Sequence, residues 1–184
     1  MHTWDSCAIN SFKNFPTRVE GNLVIFINNR SHVETMEGMP EYVGGDCIVD
    51  GARFLKSLQG APKHVGGNFV ASHCYSLVNC EGAPQEIGEG VDLTWNYRLV
   101  SLKGLPKVIN GDLICAKCKS LATLEGAPEK VTGKIMLAGQ ISKAEQNAYK
   151  QKVTGKGLRQ QEKRFGMHRT SGVAMARGAT AHNW

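Results

Sequence analysis

The stretch that decides the fold is residues 55–67, LKSLQGAPKHVGG. Related versions of this stretch return along the 184-residue chain, each built around one proline. The six prolines of the sequence all belong to the series, and they are Pro16, Pro40, Pro62, Pro84, Pro106 and Pro128. Their spacing is 24 residues once and then 22 residues throughout, which is typical of a repeat array. The sequence therefore predicts a stack of similar units with one continuous core, and the chain is too short for two ordinary domains.

Apolar residues alternate with other residues shortly after each proline. They lie seven and nine positions past it, as Leu23/Ile25, Cys47/Val49, Phe69/Ala71, Val91/Leu93, Leu113/Cys115 and Ile135/Leu137. A period of two predicts a short strand with these side chains pointing inward.

Five further positions recur in most units. Leucine or cysteine lies fifteen and eighteen residues past the proline in most units, and glycine lies near it on both sides. We expect these glycines to allow positive φ where the chain turns. Asparagine or cysteine at position twelve can bond backbone groups that the turn leaves unpaired, and the residues there are Asn28, Ala52, Cys74, Asn96 and Cys118. The first unit is two residues longer and has Ser31 where a leucine is expected.

The unit h-x-h-x-x-(N/C)-x-x-L-x-x-L-x-G-h-P-x-x-V-x-G is close to the leucine-rich repeat. Its L-x-S-L-x-G-A-P-x-x-V-x-G segment resembles the compact repeats of leucine-rich-repeat-like solenoid proteins of tailed bacteriophages and some bacteria. The resemblance implies a mainly β solenoid with short parallel strands on one side. Because glycine and proline occupy the return segment, we expect the convex side to be extended or turn-like rather than helical.

The ends of the chain differ from the repeats and divide it into three parts. Residues 1–13 are predicted to form an N-terminal cap through Trp4, Cys7, Ile9 and Phe12, residues 14–141 the solenoid, and residues 142–184 a capping helix and basic tail. Ser142 and Glu145 form a capping box that predicts a helix from about Lys143 to Val153, ending at Gly155. A second short helix is predicted over Leu158–Phe165, and residues from Met167 onward are expected to be disordered without a partner.

The net charge of +6 is concentrated at one end of the chain. Residues 1–141 contain 13 Lys and Arg against 14 Asp and Glu, whereas residues 142–184 contain 9 against 2. Such an arm is expected to contact an acidic partner, protein or nucleic acid, through Lys156, Arg159, Lys163, Arg164, Arg169 and Arg177. Phe165, His168 and Trp184 are available to stack on bases.

Several classes of protein are disfavoured by the sequence. There is no apolar run of membrane-spanning length and no leader-like start, so we expect neither a membrane protein nor a secreted one, and we expect reduced thiols. The Cys115-x-x-Cys118 motif falls on two core positions of the repeat and lacks a second ligand pair, so we interpret it as buried thiols rather than a metal or redox site. No cofactor, metal or catalytic motif is predicted, and the chain is expected to be non-enzymatic.

The outward face of the strands is the predicted partner-binding surface. Five of the six residues eight past the proline are apolar, and aromatic or basic side chains stand beside them. Apolar stripes with neighbouring aromatic and arginine side chains are typical of interfaces. The predicted contact residues are Val24, Phe26, Ile48, Arg53, Val70, His73, Tyr75, Trp95, Tyr97, Arg98, Ile114 and Met136. The occupant is left open between a partner protein, a second copy and the chain's own tail.

These observations predict a protein–protein interaction module, phage-encoded by its resemblance, with the basic arm as a second anchor. Two roles remain open, a virion component and a binder of a host factor in the cytoplasm of the infected cell. The alternative is a nucleic-acid-binding accessory protein that acts through the basic tail.

Overall fold

The chain forms a β-solenoid of about five turns, with a single short helix at the C-terminal end of its described part. The computed structural model describes residues 2–4 by their backbone and residues 11–28 and 30–154 with their side chains. The predicted contributions of Cys7 and Ile9 to the cap, the helix end at Gly155, the second helix and the basic arm lie outside these residues.

Within the described residues, one strand from each turn joins a parallel sheet of seven strands, which follow one another in chain order. The strands are β1 (His2–Trp4), β3 (Leu23–Phe26), β5 (Cys47–Asp50), β7 (Phe69–Ser72), β9 (Val91–Asp92), β11 (Leu113–Cys115) and β13 (Ile135–Leu137). The register follows the repeat, since Cys47 pairs with Phe69 and Leu113 with Ile135. The 22-residue period thus places each residue beside its counterpart in the next turn.

The return side of each turn contains only two-residue strands. They are β2 (Arg18–Val19), β4 (Tyr42–Val43), β6 (His64–Val65), β8 (Glu86–Ile87), β10 (Val108–Ile109) and β12 (Lys130–Val131). The first four form one parallel sheet and the last two form another. This confirms the predicted extended return segment, in which proline precedes each strand.

The inward positions of the repeat form one continuous core. The residues at positions seven and nine are buried in the turns of β3 through β11, and Leu23, Val49, Phe69, Leu93 and Leu113 have no exposed surface. The leucines that follow them are also buried up to Leu121, whereas Leu124 is half-buried. A single unit cannot bury its apolar side chains by itself, because they face the units above and below it. The stack is therefore stabilised mainly by apolar burial between neighbouring turns.

In the longer first unit, the two core positions lie two residues later than the spacing from the proline predicts. Val33 and Met36 occupy the positions expected of the two leucines, because the Met36 N–H donates to Gln59 O just as the Leu58 N–H donates to Glu81 O. Both side chains are buried. Ser31 therefore does not replace a core leucine, although its own hydroxyl is buried and has no hydrogen-bond partner among the described residues.

The two sets of glycines have different roles. The glycines two positions before five of the six prolines adopt positive φ, for example 86° at Gly60 and 89° at Gly82, as expected for turns. Those after the proline do not, which corrects the single role assigned to both sets. A Cβ on Gly66 would lie 2.1 Å from Gly44 O, so close approach of neighbouring turns is what requires glycine there.

The C-terminal helix α1 (Lys143–Thr154) closes the last turns. It begins where the capping box predicts, and the Ser142 hydroxyl accepts a hydrogen bond from the Glu145 N–H at 3.2 Å. Val153 is buried in the core, and the Tyr149 hydroxyl donates to Pro128 O at 2.9 Å. The helix thus covers apolar surface that another turn would otherwise bury.

Candidate functional site: a stacked aromatic ladder beside the strand face

The strand face is the surface formed by the outward side chains of β3 to β13. Ile48, Val70 and Ile114 are half-buried there, and Asp92 interrupts them. Phe26 and Met136 are 44% and 52% exposed, but they lie on the first and last of these strands. They do not share a patch with each other.

Val24 does not belong to this exposed stripe, in contrast to its predicted outward exposure. It is only 6% exposed. The physical reason is the additional strand β1, which pairs with β3 so that Val24 lies between Thr3 on one side and Ile48 on the other. The sequence pattern places the first repeat strand at the edge of the sheet, whereas the fold adds one more strand beyond it.

In the turns after β5, β7, β9, β11 and β13, the residue eleven positions past the proline has a left-handed backbone. Glycine occupies this position at Gly51 and Gly139, where φ is 83° and 125°. The three turns between them have His73, Trp95 and Lys117, with φ of 54°, 66° and 61°. A residue with a Cβ is strained in this region by about 1 kcal/mol relative to glycine, so these side chains are retained at some cost in stability.

The left-handed side chains stack along the solenoid. The rings of His73 and Trp95 are 5.7 Å apart at their centroids and nearly parallel, with 13° between their planes. Lys117 Nζ lies 5.7 Å from the centroid of Trp95, within the range of a cation–π contact.

A second stack runs beside the first, two residues further along each turn. Tyr75 and Tyr97 have centroids 5.0 Å apart, with 29° between their planes. Arg53 and Lys119 continue it at either end, 5.3 Å from the Tyr75 ring and 5.2 Å from the Tyr97 ring. Trp95 meets Tyr97 edge to face at 5.8 Å, which joins the two stacks. We call these seven residues the aromatic ladder: Arg53, His73, Tyr75, Trp95, Tyr97, Lys117 and Lys119.

Polar groups on and beneath the turns hold the ladder in place. Asp50 Oδ1 lies 2.7 Å from His73 Nδ1 and accepts a hydrogen bond from the Ser72 hydroxyl at 2.6 Å. Asn96 has no exposed surface; its Oδ1 accepts from the Cys74 N–H at 2.8 Å and its Nδ2 donates to Ala71 O at 2.8 Å. This confirms the predicted role of the position-twelve residues in bonding the turn.

Stacking alone does not distinguish the ladder from the rest of the surface. On the return side, Tyr42 and His64 also stack at 4.8 Å, and Arg18 lies 3.6 Å above Tyr42. A repeat places like positions in contact on every side, so such stacks are expected of the architecture. The ladder differs because its first column occupies a left-handed backbone position that favours glycine.

The structure brings together five of the predicted contact residues, Arg53, His73, Tyr75, Trp95 and Tyr97. Arg98 is exposed directly after Tyr97. Lys117 and Lys119 were missed, although the repeat contains the signal: they stand eleven and thirteen past Pro106, as Trp95 and Tyr97 stand past Pro84. Aligning the outward turn positions as columns would have found them.

A groove runs along the start of the strands, on the other side of the strand face from the ladder. It has a volume of about 580 Å³, and Ile48, Val70 and Ile114 are among the residues that line it. Asp46, Asn68, Gly90 and Asp112 occupy successive turns at position six. Asp46 Oδ1 accepts from the Asn68 N–H at 2.7 Å, and Asn68 Oδ1 accepts from the Gly90 N–H at 2.9 Å.

The cysteines of the described chain are free and buried, as predicted. Burial raises the pKa of the Cys47 and Cys74 thiols to about 12 and that of Cys118 to about 11. Cys115 and Cys118 occupy core positions of the repeat, in agreement with the structural interpretation of the C-x-x-C motif. Among the residues with described side chains, we find no group of three or more His, Cys, Asp or Glu arranged to hold a metal ion.

Comparison with known protein families, curated proteins and solved structures finds no significant match. Within the described part of the chain, no helix has the length and apolar character needed to cross a membrane. The basic arm from Lys156 to Arg177 lies outside that part.

Proposed function

We propose that this chain is a non-enzymatic recognition module that binds another protein through its strand face and the adjacent aromatic ladder. The observation that supports the proposal is the column of His73, Trp95 and Lys117 at left-handed positions. Glycine is the more stable choice at such positions, and the turns on either side use it. Side chains that are kept against local stability are characteristic of functional sites.

The composition of the ladder supports a protein partner. Tryptophan, tyrosine and arginine dominate the binding energy of protein interfaces, and the ladder supplies them beside the half-buried Ile48, Val70 and Ile114. The rings of Tyr75 and Tyr97 face each other at 5.0 Å, so these two faces are not free to receive a base. The acidic Asp46, Asp92 and Asp112 near the groove would also repel phosphates.

The resemblance of the repeats supports a phage-encoded member of the leucine-rich-repeat-like solenoid proteins. Two roles are compatible with this origin, a component of the virion and a binder of a host factor in the infected cytoplasm, with the basic arm as a second anchor. Peptide mapping of purified virions detects the chain in the first case, and pull-down from infected cells recovers a host protein in the second.

The proposal is tested by comparing two pairs of substitutions in quantitative capture from the native source. Val70→Ser with Ile114→Ser removes two apolar side chains from the strand face without placing carboxylates on either side of Asp92, which pairs with both residues. The fold should therefore persist while the partner is lost. Val78→Ser with Val108→Ser is the matched control, since it removes two exposed valines away from the strand face. A partner that both variants retain equally would refute the proposed site.

The nucleic-acid alternative predicts a different result, which is measured by binding of the full chain to nucleic acid. Retention of the full chain on nucleic acid that weakens steeply with salt, and that deletion of residues 155–184 abolishes, would favour that alternative. Capture of a partner protein that the strand-face substitutions abolish supports the protein-binding proposal instead.

A further inference from the structure

In two turns of the strand face, the start of the strand is acidic and the residues after its end are basic. In the turn after Pro40, Asp46 stands at the start of the strand and Arg53 follows its end. In the turn after Pro106, Asp112 stands at the start, and Lys117 and Lys119 follow the end. The start and end positions are five or more residues apart, which corresponds to about 16 Å across the face.

The two turns between them have no charge at the same start position. Asn68 and Gly90 occupy it, and the ends of these turns have the ring pairs His73 with Tyr75 and Trp95 with Tyr97. Gly90 lacks a side chain and lines the groove of about 580 Å³. These two turns therefore have no acidic start, and their ends present rings rather than lysine or arginine.

This arrangement is self-complementary under a single kind of two-fold rotation. A two-fold axis parallel to the stacking direction, laid over the middle of the strands, exchanges strand starts with strand ends while keeping each turn opposite its own counterpart. Asp46 then meets Arg53 of the second copy, and Asp112 meets Lys117 and Lys119. A two-fold axis along the strands would instead place acidic starts against acidic starts.

We propose that the strand face binds a second copy of this chain, face to face, about a two-fold axis parallel to the solenoid axis. The pairing of Asp46 with Arg53, and of Asp112 with Lys117 and Lys119, sets the register of the two copies. Ile48, Val70 and Ile114 lie near the axis and lose water when the faces meet. Asp92 lies in the same column and faces its own copy there, a repulsion that the Asp46–Arg53 and Asp112–lysine contacts outweigh in this arrangement. The inference rests on the proposed function in that it uses the same face and names a partner for it.

The charge matching supplies a test that leaves the fold intact. Sedimentation velocity of the full-length protein over about 1 to 300 µM should show a concentration-dependent dimer. Arg53→Glu with Lys119→Glu places acidic ends against acidic starts and should raise the dissociation constant by at least about tenfold. The matched control, Lys63→Glu with Lys130→Glu, makes the same change in net charge on the return side and should leave the dimer unchanged.

A mixture of two variants tests the register directly. Asp46→Asn with Asp112→Asn removes the acidic starts but keeps the hydrogen-bond acceptor that Asn68 already supplies in this column. Mixed with the Arg53→Glu, Lys119→Glu variant, it should form a heterodimer tighter than the homodimer of the latter, because Glu then faces Asn and Asp still faces Lys. Each variant is checked for native thermal unfolding.

The outcomes separate this inference from the proposed function. A wild-type chain that stays monomeric, or a heterodimer no tighter than the homodimer of the Arg53→Glu, Lys119→Glu variant, overturns the self-association while partner capture through the strand face still stands. A dimer that follows the charge rules, together with captured proteins that ignore the strand-face substitutions, supports the self-association and refutes recognition of a foreign partner there.

Discussion

The indole of Trp95 lies parallel to the imidazole of His73, 5.7 Å away with 13° between the planes, and both residues have left-handed backbone. The stacking and the backbone strain act in opposite directions on stability. A ring pair contributes about 0.5–1.5 kcal/mol, and a left-handed residue with a Cβ costs about 1 kcal/mol. This balance makes position 95 the most informative single place to test the structure.

Two substitutions at Trp95 separate the stacking from the strain. Trp95→Ala loses the ring contacts and keeps the strain, so the free energy of unfolding should fall by about 1–2 kcal/mol. Trp95→Gly relieves the strain as well and should be about 1 kcal/mol more stable than Trp95→Ala. Urea denaturation of both variants measures the difference. If alanine proves as stable as glycine, the left-handed assignment of position 95 is wrong.

The glycines four positions past Pro40, Pro62 and Pro84 are predicted to tolerate no side chain; they are Gly44, Gly66 and Gly88. Gly66→Ala would place a Cβ 2.1 Å from Gly44 O, so the two turns must separate locally. We expect destabilisation of more than about 3 kcal/mol by overpacking, measured by thermal or urea unfolding. Gln85→Ala, at an exposed position beside Pro84, serves as the control and should change stability by less than about 0.5 kcal/mol. A stable Gly66→Ala variant would contradict the close spacing of these turns.

The buried Asn96 is predicted to be replaceable by cysteine but not by alanine. Alanine leaves the Cys74 N–H and Ala71 O without their side-chain partners, which should cost about 2–4 kcal/mol. Cysteine occupies the same column at Cys74 and Cys118, and the Cys118 thiol bonds Leu93 O at 3.1 Å. Asn96→Cys should therefore retain at least half of the stability that Asn96→Ala loses. Equal losses in the two unfolding curves would show that hydrogen bonding is not what this column supplies.

The buried thiols predict a loss of stability in alkali. Burial raises the pKa of Cys47 and Cys74 to about 12 from an ordinary value of 9.0, so the unfolded chain releases these protons at lower pH than the folded chain. Their contribution is complete below pH 9.0 and is lost as pH rises toward about 12, by about 1.4 kcal/mol per pH unit for each thiol.

The alkaline prediction is measured by urea denaturation at a series of pH values. Because tyrosine and lysine side chains titrate in the same range, the comparison is between the wild type and the Cys47→Ala and Cys74→Ala variants. Each variant should have a shallower decline above pH 9.0 than the wild type. Parallel declines would indicate that these thiols ionise as readily in the folded chain as in the unfolded one.

Much of the architecture follows from the sequence, because in a repeat the residues at equivalent positions of successive units are also the residues that contact one another. Once Leu23, Cys47 and Phe69 are known to be equivalent, stacking them is the arrangement that buries them all, and the parallel register follows from the period. The start of the C-terminal helix could also be predicted from the sequence, since the hydroxyl of Ser142 accepts a local hydrogen bond from the N–H of Glu145. These features depend on spacing and side-chain type alone.

The tertiary structure decided what the spacing leaves undetermined. The pairing of β1 with β3, which buries Val24, joins segments whose sequences share no repeat pattern. The left-handed backbone at Trp95 and Lys117 could not be predicted from the sequence either, because these residues have side chains whereas Gly51 and Gly139 occupy the same position in other turns. The sequence determined that equivalent residues stack, since each turn is stabilised by burying the same apolar positions against its neighbours. Only the fold decided which columns are strained and which rings meet, because those depend on backbone angles that the repeat does not encode.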